Sequence, residues 1–245
     1  INVELGTFKL PDNVSFEEGT FVEPLGTVIR AQRLANLKEN DTLLTIGSGI
    51  SGLLHIKLAK LKKIKKIIAV DINEYRLNAA KNFGADFVID ANDDVISKLK
   101  EFNENRLADL VIICTGALPA AKLALQCADK GGTILFFAVP KPDEKFEIPI
   151  NEFWKNEVKI MTSYGAAPND LKESLELIKN KKISLKDMIT HQLKFGDIQD
   201  GFHLVAEAKE DLGDQIEADL EIVERERAVL KRMAKFSKAE GTNNA

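Results

Sequence analysis

Between residues 42 and 180 the chain alternates between two hydrophobic rhythms. The first is a set of short, nearly unbroken apolar runs: "TLLTIG", "KIIAVD", "DFVID", "DLVIICTG", "TILFFAVP" and "VKIMTSY". The second is a set of amphipathic stretches between them. In "ISGLLHIKLAKLKK", Leu53, Leu54, Ile56, Leu58 and Leu61 recur at mainly helical spacing. "NEYRLNAAKNFG" reads as a helix ended by Gly84 at a C-cap position. "NDDVISKLKEF", "PAAKLALQCADKGG" and "NDLKESLELIKNKK" continue the series. Apolar runs that lack polar alternation belong to strands covered on both faces, which is the environment of a parallel sheet. With right-handed crossovers, the pattern predicts an α/β fold with a doubly wound parallel sheet, the Rossmann architecture.

The ends follow a different pattern. Residues 1–40 have a β-like start, Pro11, and a mixed segment, "FEEGTFVEPLGTVIRAQRLAN", that reads as helical after Gly19. Residues 214–238 form a charged stretch with Ile216, Leu220, Val223, Leu230 and Met233 near one stripe, interrupted by Arg227. That stretch is expected to be a helix packed on this chain or on a partner. "AEGTNNA" reads as a frayed tail, and no internal repeat is present.

Composition narrows the classes. The 245 residues are 44% hydrophobic and 29% charged, enough for a core and a hydrated surface. A net charge of −4 gives no general attraction to nucleic acid. The basic run "KLKKIKK" has no interleaved aromatics and reads as a solvated helix end. No apolar run is long enough for a bilayer, so no membrane is expected, and the first residues lack the features of a signal peptide. Two cysteines, Cys114 and Cys127, are too few for a disulfide framework and point to a cytoplasmic, reducing setting. The chain begins with Ile1 rather than Met, which suggests a longer parent.

The stretch that carries chemistry is "DTLLTIGSGISG". Gly47, Gly49 and Gly52 stand between a predicted strand and a predicted helix, and Asp71 ends the next strand. In a dinucleotide fingerprint the first glycine permits a tight turn and the second lets backbone approach pyrophosphate. The third lets the helix pack against the sheet. The helix N-terminus then offers free N–H groups and partial positive charge to phosphate. Asp71 can accept hydrogen bonds from both adenosine ribose hydroxyls, and its charge repels a 2′-phosphate, so NAD is expected over NADP. The competing structural reading is that these residues only shape turns. A methyltransferase would also place glycines after its first strand and an acid after its second. Its loop usually lacks this three-glycine spacing.

The stretches "LPDNVSFEEGTFVEPLGT", "GSGISGLLHIKLAK", "VDINEYRLNAAKNFGAD", "VIICTGALPAAKLAL" and "ITHQLKFGDIQDGF" occur in that order over most of residues 8–207. On them the sequence resembles the medium-chain dehydrogenases, in the zinc-dependent branch that includes sorbitol and threonine dehydrogenases. The resemblance implies an NAD-dependent oxidoreductase acting on a secondary alcohol or polyol, with this chain supplying the cofactor part. It implies that Gly47, Gly49, Ile50, Ser51 and Gly52 face the pyrophosphate, and that Asp71, Ile72 and Arg76 hold the adenosine end. Cys114, Thr115 and Gly116 would line the fourth strand's end. Phe137, Ala138 and Val139, with Ser163 between Thr162 and Tyr164, would place backbone near the nicotinamide.

The departures from that family are equally specific. Its catalytic domain, with the zinc-ligating Cys, the His-Glu pair and a four-cysteine lobe, has no counterpart here. Only Glu23 in "VEPLGT" matches a family glutamate beside the zinc, and a carboxylate at a helix start is an equally good account of it. Zinc is therefore expected only in the complete enzyme, where it would polarise the alcohol oxygen. His55, His191 and His203 are too scattered for a ligand set. The expected layout is a catalytic-domain remnant over 1–25, a Rossmann domain over 26–185, a return segment over 186–212 and a charged helix and tail over 213–245. A non-catalytic NAD-binding or assembly module is the alternative function, and a homo-oligomer is a further expectation.

Overall fold

The computed structural model describes residues 7–190 and 193–207. His191 and the predicted helix over 214–238 lie outside the described residues. Six parallel strands form one sheet in the order β3-β2-β1-β4-β5-β6. They are β1 (Thr42–Ile46), β2 (Lys66–Asp71), β3 (Phe87–Asp90), β4 (Ala108–Ile113), β5 (Ala128–Phe136) and β6 (Lys159–Thr162). β1 is buried along its whole length, whereas β6, at an edge, is largely exposed. The chain winds outward from β1 to β3 and then returns to place β4 beside β1, with Ile46 opposite Ile113. That reversal makes the carboxyl end of β1 and β4 the switch point of the sheet, where loops diverge and leave a crevice.

The helices follow from the amphipathic stretches. In chain order they are α1 (Phe16–Thr20), α2 (Val22–Leu34), α3 (Ile50–Leu61), α4 (Glu74–Phe83), α5 (Val95–Phe102) and α6 (Leu118–Ala124). They continue with α7 (Ile150–Asn156), α8 (Pro168–Lys179) and α9 (Ile198–Glu207). One core layer joins Leu44, Ile46, Val70, Val111, Ile113 and Phe136 of the sheet to Leu99, Ala121 and Phe153 of α5, α6 and α7. Alternate strand positions face the opposite side. On that side α3 contacts β1 and β2, and α2 contacts α3 and α8.

The chain separates into two compact units. Among the described residues, 7–9 and 22–184 form the first, and 10–21 with 185–190 and 193–207 form the second. In the second unit α1 starts from a capping box. Ser15 Oγ accepts the Glu18 N–H at 3.3 Å, and the Glu18 carboxylate accepts the Ser15 N–H at 3.0 Å. This reciprocal pair satisfies two end donors and starts the helix before Gly19, earlier than the sequence pattern indicates.

Two other elements depart from expectation. α6 stops at Ala124, and Cys127 O already accepts the Ala108 N–H at 2.9 Å. β5 therefore begins at Ala128 and absorbs a register shift against β4. Periodicity extends the helix through "QCADKGG", because Cys127 is apolar and falls in step. Helix α7 was not foreseen. It is a short element ended by Glu157 in the left-handed conformation, φ 55°.

Candidate functional site

The carboxyl edge of the sheet brings together the glycine loop, the end of β2 and the turns after β4 and β5. Gly47 leaves β1 with φ 96°, a conformation that costs most side chains dearly. A Cβ there would also meet Thr115 Cβ at 3.1 Å and the Cys114 carbonyl carbon at 3.2 Å. The loop therefore runs against the Cys114–Thr115 backbone, and the Cys114 N–H donates to Ile46 O at 2.8 Å. Gly52 is tighter still, since a Cβ would lie 2.0 Å from Gly47 O. This is the close approach that lets α3 begin directly behind the turn.

Gly49 is the N-cap of α3, with φ −72° and no side-chain cap. The amide N–H groups of Gly49, Ile50, Ser51 and Gly52 begin the helix and have no acceptor within it. Aligned with the helix dipole, they form a donor set suited to an anion such as phosphate.

Asp71 is 6% exposed and bridges two segments of this edge. Its Oδ2 accepts the Ser48 N–H at 2.6 Å, and its Oδ1 accepts the Asn73 N–H at 3.0 Å. Asn73 in turn caps α4 by accepting the Arg76 N–H at 3.2 Å. Ser48 and Asn73 are site residues that pattern reading missed. The signals available were the small polar residue between two glycines and an asparagine just before a helix. Ile72 is 72% exposed beside them.

On the far side of the crevice, Phe137 and Ala138 both donate their N–H groups to Ile113 O, at 3.2 and 2.8 Å. A Cβ at Gly116 would sit 3.1 Å from Val139 O, so the two backbones pass in tight contact there. The Ser163 N–H reaches Phe136 O at 3.4 Å. Burial pushes the Cys114 thiol above its usual range, so it is no ready thiolate. Cys127 sits in the core with its thiol pushed up to about 12 by burial, and both cysteines are free.

Three polar atoms along this edge, Ser48 Oγ, Arg76 Nε and Ser163 Oγ, are buried without a hydrogen-bond partner among the described residues. Buried polar groups are rarely left unsatisfied, and such orphans on a crevice edge suit a polar ligand. Together with the glycine cradle, they fit a dinucleotide. They do not fit zinc. Glu23 is exposed on the first turn of α2, and among the described residues no three His, Cys, Asp or Glu side chains are grouped to hold a metal ion.

Comparison with known proteins agrees with this fold. Residues 51–180 match the family described as zinc-binding dehydrogenase. D-xylulose reductase of Saccharomyces cerevisiae is 34% identical over 200 residues, covering 80% of this chain and 56% of that protein. Sorbitol dehydrogenase 1 of the same yeast is 30% identical, covering 77% of this chain and 54% of its own length. The crystal structure of 2R,3R-butanediol dehydrogenase from Bacillus subtilis superposes with a TM-score of 0.75 at 26% identity, covering 84% of this chain and 58% of that one. The chain thus spans little more than half the length of the relatives it matches.

Proposed function

Because the chain belongs to the zinc-binding dehydrogenase family, we propose that it is the NAD-holding part of an oxidoreductase acting on a secondary alcohol or polyol. The observation that carries this reading is the continuous carboxyl edge. Asp71 is tied to Ser48, the glycine loop lies against Cys114 and Thr115, and Gly116 passes close under Val139. When bound, the nicotinamide ring supplies the hydride acceptor or donor. The α3 N-terminus would hold the pyrophosphate, and Asp71 would take the adenosine ribose hydroxyls. The Phe137–Val139 turn and Ser163 would orient the nicotinamide end. The carboxylate of Asp71 disfavours a 2′-phosphate, which supports NAD over NADP.

The names of the yeast relatives support a polyol or its keto sugar as the substrate of the complete protein. Residues 1–25 and 186–212 would be parts of a catalytic domain, with residues 26–185 as the cofactor domain and 213–245 as an appended helix and tail. The two free thiols support a reducing, cytoplasmic setting. No helix among the described residues is long and apolar enough to cross a membrane. The exposed edge strand β6, which carries the exposed Ile160 and has Trp154 nearby, supports self-association, which solution mass would read.

The lack of a grouped metal-ligand set among the described residues supports a second reading, a non-catalytic NAD-binding module. One experiment separates the two. Calorimetric titration with NAD and NADP should show NAD binding more tightly, while turnover of sorbitol or D-xylulose by this chain should be absent with or without zinc. Turnover restored by adding a family catalytic domain would favour the oxidoreductase part. Continued inactivity with intact NAD binding would favour the module, and failure to bind NAD would overturn both.

A further inference from the structure

His55 follows the glycine loop on α3 and is completely buried. An imidazole there costs desolvation that an aliphatic residue of similar size would avoid. Burial, reinforced by the charge of Lys62, lowers its pKa from 6.5 to about 3, so the ring is neutral around pH 7. Gln32 on α2 sets its tautomer. Gln32 Nε2 donates to the His55 carbonyl oxygen at 2.9 Å and lies 3.3 Å from His55 Nδ1. An amide nitrogen has two hydrogens to give, so Nδ1 accepts and the ring proton sits on Nε2. That Nε2 has no hydrogen-bond partner among the described residues.

The ring that His55 packs against is that of Phe137. The two ring centroids lie 4.8 Å apart with planes at 88°, an edge-to-face pair. Phe136 joins the core layer beneath α5, α6 and α7, so Phe137, next along the chain, points to the opposite side, toward α3. Phe137 is also the first residue beyond β5. From it the backbone runs through Ala138 to Val139, whose carbonyl closes over Gly116. Holding the Phe137 side chain therefore fixes the direction in which this turn leaves the sheet.

We infer that His55 is a positioning residue for the nicotinamide half of the cofactor, acting through Phe137. The inference rests on the NAD-binding reading above. His55 touches no cofactor atom itself. Gln32 holds the imidazole, the imidazole holds the Phe137 ring, and the Phe137–Val139 backbone meets the ligand.

The test compares NADH with ADP-ribose, which lacks the nicotinamide, on the full chain. In the unsubstituted protein NADH should bind more tightly and its nicotinamide emission should rise on binding. His55→Ala should weaken NADH about three- to tenfold, the worth of one aromatic pair, and leave ADP-ribose within about twofold. The emission rise should shrink in parallel. Phe137→Leu should reproduce the loss, the double variant should add little to either, and His55→Phe, which keeps an aromatic ring against Phe137, should recover most of it. Equal weakening of both ligands, or an unchanged ratio, would show a merely structural role and overturn the inference. If His55→Ala does not fold, Phe137→Leu and His55→Phe decide by the same ratios. ADP-ribose binding with no gain from nicotinamide would overturn this inference and leave the adenosine site standing. Binding of neither ligand would overturn the NAD-binding reading and this inference with it.

Discussion

Asp71 Oδ2 accepts the Ser48 N–H at 2.6 Å, so the end of β2 is fastened to the glycine loop of β1. A carboxylate has roughly four acceptor positions, and Ser48 and Asn73 occupy two of them. On the proposed reading the remaining lone pairs would take ribose hydroxyls, so that one side chain would both shape the loop and read the ligand.

Asp71→Ala should therefore do two things. It should leave the Ser48 N–H without its acceptor and lower stability by about 1–3 kcal/mol, seen in urea unfolding. It should also weaken NAD and narrow its advantage over NADP, since the repulsion of a 2′-phosphate disappears. Loss of NAD binding at unchanged stability would mean that Asp71 meets the ligand but does not brace the loop.

Gly49 and Gly52 should separate binding from folding. Gly49 has φ −72°, which alanine adopts without strain, so Gly49→Ala should lose only the N-cap preference, about 1 kcal/mol, yet weaken NAD by crowding the pyrophosphate. Gly52→Ala would place a methyl carbon 2.0 Å from Gly47 O, so the two backbone segments must move apart. It should cost about 1–3 kcal/mol or more, because backbone cannot swing aside as a side chain can. Melting curves of both variants, with and without NAD, check this pair of outcomes.

His55 should impose an acid-side instability. Its folded pKa, about 3, lies below its ordinary value of 6.5. As pH falls, the unfolded chain takes up this proton first. The contribution to stability is whole above about 6.5 and is lost progressively toward about 3. His55→Phe should flatten that part of the pH–stability curve. Parallel curves for the two proteins, from denaturant unfolding at a series of pH values, would mean that the imidazole can be protonated without penalty.

Asp170 should act as the clasp between α2 and α8. It is 1% exposed, lies 2.6 Å from Arg33 Nη2 and 3.6 Å from Arg30 Nη1, and accepts the Ala167 N–H at 2.9 Å. Burial pushes its carboxyl up, but hydrogen bonds from Arg33 and Ala167 outweigh that and leave it below the usual range. Asp170→Ala should cost about 1.5–3 kcal/mol, the range for hydrogen bonds to charged groups. The loss should shrink in acid, where the native carboxylate is itself being protonated. A calorimetric melting series of both proteins reads it.

The alternation of apolar runs and amphipathic stretches was enough to announce a parallel sheet covered by helices, because buried strands and surface helices carry different periods. The spacing of Gly47, Gly49 and Gly52, with Asp71 at the next strand's end, was enough to mark a candidate dinucleotide loop. Those signals are local, and each is written within a few turns of chain. Other features depend on residues far apart in sequence. Ser48 meets Asp71 because β1 and β2 pair in register, and His55 meets Phe137 because β5 brings its end beneath α3. The early start of β5 reflects the same dependence, since Ala128 is claimed by a strand partner, Ala108, that helical periodicity cannot see. Periodicity reports the average polarity around a residue. Which particular neighbour supplies that polarity is set only when strand order, register and packing bring distant segments together.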